Sequence, residues 1–345
     1  MMSRKSLLIL TGVLLVVIVL SQVTGKKRYR TEADGGFVDI VDASFDPASV
    51  AKITAWLGTA EDEPVVLERE GDGWAVTSRW GWTAKADLVK RLLDDLTGLQ
   101  GEKRSSKEDV LADYQTDDEN GLHILAEGTG GSEIFHLVAG KTAVRGGGFV
   151  RHAGSSDVYK TPSPLRSSFG VWGDENSPPK PPDPKRWIEL RVNQADRLDV
   201  ESITIRDGSR EIALVKEIEM TEPAADDTTA AEPVPDRTKW EWKPDASGAF
   251  DKGKADNVMN SLISLYAFDV ADPDSLEAYG LTEPERSVTV AIENGDTVDI
   301  FFGVQDPEDD KKTYFRVGAD GLPALIYTST VDRIFQKRSD LSPDA

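Results

Sequence analysis

Apolar positions along this chain follow three different rhythms, and each predicts a different kind of element. From Leu7 to Val23 the sequence LLILTGVLLVVIVLSQV is nearly unbroken apolar, bracketed by Arg4-Lys5 and Lys26-Lys27-Arg28. Counted from Ser6 to Gly25 at about 1.5 Å per residue, it spans roughly 30 Å, the thickness of bilayer hydrocarbon. The run, with Leu7, Leu10, Leu14, Val17 and Leu20 spaced along it, predicts an uncleaved membrane anchor. A cleaved signal peptide is the competing reading, but Ser21-Gln22-Val23 is a poor cleavage site and no Ala-x-Ala follows.

Beyond the anchor a helical rhythm occurs twice. Lys85-Ala-Asp-Leu-Val-Lys-Arg-Leu-Leu-Asp-Asp-Leu96 is matched by Lys254-Ala-Asp-Asn-Val-Met-Asn-Ser-Leu-Ile-Ser-Leu265. Leu88, Leu92 and Leu96, and Val258, Leu262 and Leu265, lie near helical spacing behind an Asp in the first turn, where the helix dipole favours it. Further segments, most of them strand-like, surround both helices in the same order. Gly73–Val76 pairs with Lys239–Trp242, Leu111–Tyr114 with Leu276–Tyr279, and His123–Ala126 with Val288–Ala291. Ile134–Gly140 pairs with Val298–Gly303, and Phe149–Arg151 and Val158-Tyr159 with Tyr314–Arg316 and Ile326-Tyr327. Seven elements matched in order predict a duplication.

The expected fold is therefore α+β: an N-terminal transmembrane helix followed by two tandem copies of one mainly antiparallel strand–helix–strand domain. Residues 1–30 form the anchor with its basic flanks, 31–172 the first repeat and 187–345 the second. A Pro-rich linker, 173–186, separates them. Residues 217–238, rich in Glu, Asp, Ala, Thr and Pro, read as a mobile acidic insertion where the first copy has only Glu70-Gly-Asp-Gly73.

Charge narrows the function. The 345 residues carry 61 acids against 40 Lys and Arg, a net charge of −21, and none of the acids precedes Glu32. So acidic a body repels phosphate backbones, which excludes nucleic acid as a partner. With no Cys there is no disulfide, thiolate metal site, Cys nucleophile or lipobox. Four basic residues after the apolar run against two before it favour a cytoplasmic body on charge alone. A signal-anchor behind a short basic tail exports its body equally well, so flanking charge leaves both orientations open.

Catalytic patterns are weak. Gly140-Lys141-Thr142 resembles the end of a phosphate loop, but Phe135 stands where the pattern needs Gly. Gly146-Gly147-Gly148 precedes no helix and reads as a flexible loop. His123, His136 and His152 form neither HxH nor HExxH, and are read as strand residues. The acidic runs Asp117–Glu119 and Asp306–Asp310 lack the alternating ligands and central Gly of a calcium loop. No catalytic, cofactor or metal residue is therefore assigned. Trp80-Gly81-Trp82 stands out: two indoles around a glycine form an exposed contact surface for sugar or protein, or else cap the core.

Val65–Glu68 with Gly71-Asp-Gly-Trp74, Ala86-Asp87 opening a Leu-rich helix, Leu111 and Tyr114, and the strands ending at Gly140 and Tyr159 together resemble the bacterial domain-of-unknown-function family 4340. The resemblance covers 46 to about 170 and again about 195 to 340. The insertion and the Pro-rich linker depart from it. It implies a single-anchor protein of the inner (cytoplasmic) membrane with its C-terminal body on the periplasmic or extracytoplasmic side, often encoded beside gliding-motility-type ABC transporter subunits.

The expected function is a non-enzymatic accessory or scaffold protein of an ABC-type transport or gliding-motility-like envelope complex. It would need no cofactor, would contact membrane-protein partners such as transporter subunits through Trp80 and Trp82, and would meet the membrane through its N-terminal segment. A cell-envelope glycan-binding module and an envelope hydrolase with a scattered site are the alternatives.

Overall fold

The computed structural model describes residues 36–173, 178–193, 195–221 and 234–344. Strands dominate it. The first sheet contains β1 (Val38–Asp39), β2 (Val50–Leu57), β3 (Ala60–Glu70), β4 (Gly73–Val76), β5 (Trp82–Thr83), β6 (Gln100–Ser105), β7 (Leu122–Gly128), β8 (Glu133–Thr142), β9 (Gly148–His152) and β10 (Val158–Thr161). Its order is β1-β6-β10-β9-β8-β7-β2-β3-β4-β5. The second contains β11 (Val200–Asp207), β12 (Arg210–Thr221), β13 (Val234–Trp242), β14 (Asp269–Val270), β15 (Arg286–Ile292), β16 (Thr297–Asp306), β17 (Asp309–Val317) and β18 (Ala324–Tyr327), ordered β13-β12-β11-β15-β16-β17-β18-β14.

This corrects the α+β expectation. The architecture is two large antiparallel sheets, and the longest helix among the described residues, Lys252–Ile263, has 12 residues. None of the described helices is long and apolar enough to cross a membrane. The apolar run with Leu7, Leu10, Leu14, Val17 and Leu20 lies outside the described residues. The physical reason for the miscount is that helical periodicity is a strong signal carried by few residues here. The half-buried alternation of strands such as β2 is weaker per residue but extends much further.

The two sheets share one strand sequence. Read from β4 to β6 the first runs β4-β3-β2-β7-β8-β9-β10-β6, and every position has its counterpart, in chain order, in the second sheet from β13 to β14. In both, one helix intervenes: Ala86–Leu96 buries Val89, Leu92, Leu93 and Leu96, with Leu88 only half-buried, and Lys252–Ile263 buries Ala255, Val258, Met259, Leu262 and Ile263. Asp251 caps the latter, its side chain accepting from Lys254 N–H at 2.8 Å.

The chain divides into two compact units: Met1–Pro64 with Arg91–Pro182, and Val65–Lys90 with Asp183–Ala345. In the first, Ile53, Leu57, Leu122, Ile124 and Leu137 form the fully buried centre. In the second, Val288, Val290, Ile300, Phe302 and Phe315 do so. Residues 65–90 join the second unit through backbone pairing: Ala84 bridges Ile188, Lys85 N–H donates to Trp187 O at 2.7 Å, and Glu189 N–H donates to Thr83 O at 2.8 Å. Within the segment 217–238, pairing continues from Glu217↔Glu241 to Thr221↔Val234, so both ends of the insertion are ladder. Residues 222–233 lie outside the described residues.

Candidate functional site

Three places concentrate chemistry. The first is the turn between β4 and β5. After the 3-10 turn Thr77–Arg79 the chain reverses through Trp80 (φ 56, ψ 26) and Gly81 (φ 78), both left-handed, and Gly81 N–H returns to Val76 O at 3.1 Å. That geometry sends the two indoles to different environments. Trp80 is 40% exposed, with the Arg79 guanidinium 5.9 Å from its ring centre. Trp82, paired with Val76, is only 9% exposed, and its indole N–H is buried without a hydrogen-bond partner. It borders a cavity of about 360 Å³ that Arg191, Phe315 and Arg316 also line.

The second lies in the first unit. Trp56 stacks on His123, ring centres 4.9 Å apart at 13°, and His123 Nδ1 meets His136 Nε2 at 3.0 Å. His123 Nε2 faces the Asp118 carbonyl at 3.0 Å. A carbonyl only accepts, so neutral His123 is protonated at Nε2 and its Nδ1 accepts from His136 Nε2–H. Burial, followed by the neighbouring His123, lowers the His136 pKa from its usual 6.5. Beside the pair, the turn 115–120 is held by two buried guanidinium groups. Arg151 donates to Thr116 O, His152 O and the Asp118 carboxylate. Arg166 donates to Gln115 Oε1 and Asn120 O, and burial pulls its pKa down to about 10. Two of the three histidines are thus brought together, while His152 lines a neighbouring cavity of about 500 Å³ with His136. Among the described residues no three His, Asp or Glu side chains gather as a metal site.

The third is a groove of about 690 Å³ in the second unit, beside the helices Lys252–Ile263 and Thr328–Ile334 and the end of β18. Asn257, Asn260, Ser261 and Ser264 line it at helical spacing, opposite Thr330 and Arg333. Tyr266 and Tyr327 line it too, 58% and 51% exposed. None of these residues stood out in the sequence. The available signal was the contrast between neutral Asn260 and Ser264 and the charged Arg91 and Asp95 at the matching positions of the other helix.

The family profile described as "Domain of unknown function (DUF4340)" matches residues 74–267, more than half of the chain. The chain belongs to the DUF4340 family. The matched region of this DUF4340 protein takes in the Trp80 turn, both buried-arginine contacts and the longer helix, and runs straight through the Pro-rich linker. No curated protein and no solved structure matches the chain.

The remaining sequence motifs of the DUF4340 chain are structural. Gly140, Lys141 and Thr142 all lie within β8, and a Cβ on Gly140 would sit 2.3 Å from Tyr114 O. Gly146 and Gly147 turn the chain between β8 and β9 at φ 88 and 80. The acidic runs cap turns. Asp117 accepts from Asn120 N–H at 2.9 Å, Asp306 from Glu308 N–H at 3.1 Å, and Asp309 from Lys311 N–H at 3.1 Å while pairing with Lys312.

Proposed function

We propose that this DUF4340 protein is a non-catalytic accessory protein that docks on an integral membrane subunit of an ABC-type transport or motility-type envelope complex. Its apolar run Leu7–Val23 would hold it at the inner membrane, with the body on the extracytoplasmic side. The observation that carries this reading is Trp80. A bulky aromatic residue in the left-handed region is a backbone outlier, and such conformations persist where the surrounding structure enforces them for a purpose. Here Trp80 is exposed at the terminal strand of a sheet, while buried Trp82 two residues on pins the turn. A rigid, half-exposed indole on a buried anchor has the properties of an interface hot spot. Attachment to the membrane would raise its effective concentration near integral partners, and the acidic body would steer basic faces toward it.

The test is a photo-crosslinking amino acid at position 80 of the full chain in cells, with Trp80→Ala as the comparison. Crosslinking to an integral membrane subunit, and loss of that subunit's co-purification in Trp80→Ala with an unchanged melting temperature, are the expected results. Retention of the partner by Trp80→Ala removes the Trp80 assignment. Turnover of an envelope polymer by the purified chain removes the non-catalytic reading.

A further inference from the structure

We propose that the groove beside the helices Lys252–Ile263 and Thr328–Ile334 binds an acidic oligosaccharide, with Tyr266 and Tyr327 as stacking platforms, Asn257 and Asn260 as hydroxyl-reading groups, and Arg333 as the partner of a sugar carboxylate. This site is separate from the Trp80 turn and does not rest on the accessory-protein reading.

The lining is unusual for this chain. With 61 acids in 345 residues, a lining of this size would carry about two or three carboxylates at the chain's average, yet none is among the described residues that line the groove. Apart from Lys254, its helix face is amide and hydroxyl, at a cost to the helix itself. Asn257, Asn260 and Ser261 are poor helix formers because their side chains compete for backbone hydrogen bonds, as Ser261 Oγ does by donating to Asn257 O at 2.9 Å. At the matching positions of Ala86–Leu96, exposed Arg91 and Asp95 stand where this helix has Asn260 and Ser264, and Leu88 and Leu92 where it has Asn257 and Ser261.

The chemistry converges on a carbohydrate. A pyranose offers an apolar C–H face and a rim of hydroxyls. Exposed aromatic rings cover the first with apolar burial and an electron-rich face. Side-chain amides, holding both donor and acceptor, match vicinal hydroxyls that are also both. Tyr327 is braced for this role by Phe268, ring centres 5.2 Å apart and edge-on, and Phe268 is itself flanked by Lys185 and Lys312 at 4.1 and 3.9 Å. Of the two cationic side chains in the lining, Lys254 is occupied by Asp344 at 2.7 Å and Ser342 O at 2.9 Å. Among the described residues Arg333 has only a long 3.5 Å contact to Ser261 Oγ, which leaves its planar donor fork available to a carboxylate. The volume of about 690 Å³ lies within the range of small-ligand sites.

Calorimetric titration of the full chain with a hexuronate tetrasaccharide, a neutral N-acetylglucosamine tetrasaccharide and a polyglutamate peptide tests the proposal. The expected result is that the hexuronate binds most tightly, and that the double variant Tyr266→Ala, Tyr327→Ala weakens it at least ten-fold. Arg333→Gln should weaken the hexuronate ten-fold while changing the neutral sugar less than two-fold. Asn257→Ala with Asn260→Ala keeps the test decisive should the tyrosine variant fold poorly: it improves helix propensity, so lost affinity with an equal or higher melting temperature belongs to the site. Trp80→Ala should leave sugar affinity unchanged. No hexuronate binding, equal binding of polyglutamate, preference for the neutral sugar, or unchanged affinity in both multiple variants would each overturn the proposal.

Discussion

Gly303 runs so close under Tyr279 that a Cβ at residue 303 would sit 1.9 Å from the Tyr279 carbonyl oxygen. The next residue, Val304, donates its N–H to that same oxygen at 2.9 Å. Gly140 stands in the same relation to Tyr114 at 2.3 Å, so both sheets use a strand glycine to admit a neighbouring turn. Gly303→Ala must push backbone against backbone. We expect it to destabilise the protein by about 2 kcal/mol or more, measured by urea denaturation. Gly253→Ala, whose nearest contact is a side-chain oxygen at 3.4 Å, should be neutral or stabilising by up to about 1 kcal/mol.

Arg151 and Asp118 form a pair of unequal members. Arg151 is buried and also satisfies backbone carbonyls, whereas Asp118 has 77% of its side chain exposed. Arg151→Met should cost about 3 kcal/mol, because it leaves buried carbonyls unpaired. Asp118→Asn should cost less than about 1 kcal/mol. A double-mutant cycle followed by thermal melting checks the asymmetry, and equal losses would mean the pair itself dominates.

The histidine pair makes stability depend on pH in one direction. His136 has its folded pKa lowered by burial and then by His123, so below about 6.5 the unfolded chain takes up a proton that the folded chain refuses. Stability conferred by neutral His136 is complete above that value and is lost as pH falls toward its lowered pKa. Melting temperatures between pH 7.5 and 5 should fall more steeply for the native chain than for His136→Gln.

Lys216 lies 4.4 Å from the Trp240 ring, which Lys252 and Arg197 also approach at 4.4 and 4.6 Å. Burial, then the Arg197 charge, brings its pKa down to about 8. At pH 8 about half of Lys216 is therefore the neutral nucleophile, against under about 1% of an ordinary lysine. Brief treatment with an amine-acylating reagent at pH 8, read by peptide mass mapping, should modify Lys216 ahead of exposed lysines such as Lys239. Equal modification would mean that its charge is not suppressed.

Local pattern alone carried the order of elements: the sequence pairs Gly73–Val76 with Lys239–Trp242 and Ile134–Gly140 with Val298–Gly303, and these segments are β4 and parts of β13, β8 and β16. It also carried the family, whose profile matches residues 74–267. What local pattern could not carry was the weight of sheet over helix. Strand pairing is a long-range relationship: the alternation Glu217-Ile-Glu-Met-Thr221 is strand-like, but the partner Val234–Trp242 that makes it a ladder lies beyond the acidic segment.

Tertiary structure decided the environments. Trp80 and Trp82 are the same residue type two positions apart, yet a left-handed turn places one in solvent and the other in the interior. His123 and His136 lie 13 residues apart in sequence and meet because β7 and β8 are antiparallel neighbours. The groove of Asn257, Tyr266, Tyr327 and Arg333 draws on residues more than 70 positions apart. Sequence determines which residues repeat and how each segment tends to fold, since those depend on neighbours along the chain. Exposure, pairing and shared cavities depend on neighbours in space, and only the packed sheets bring those together.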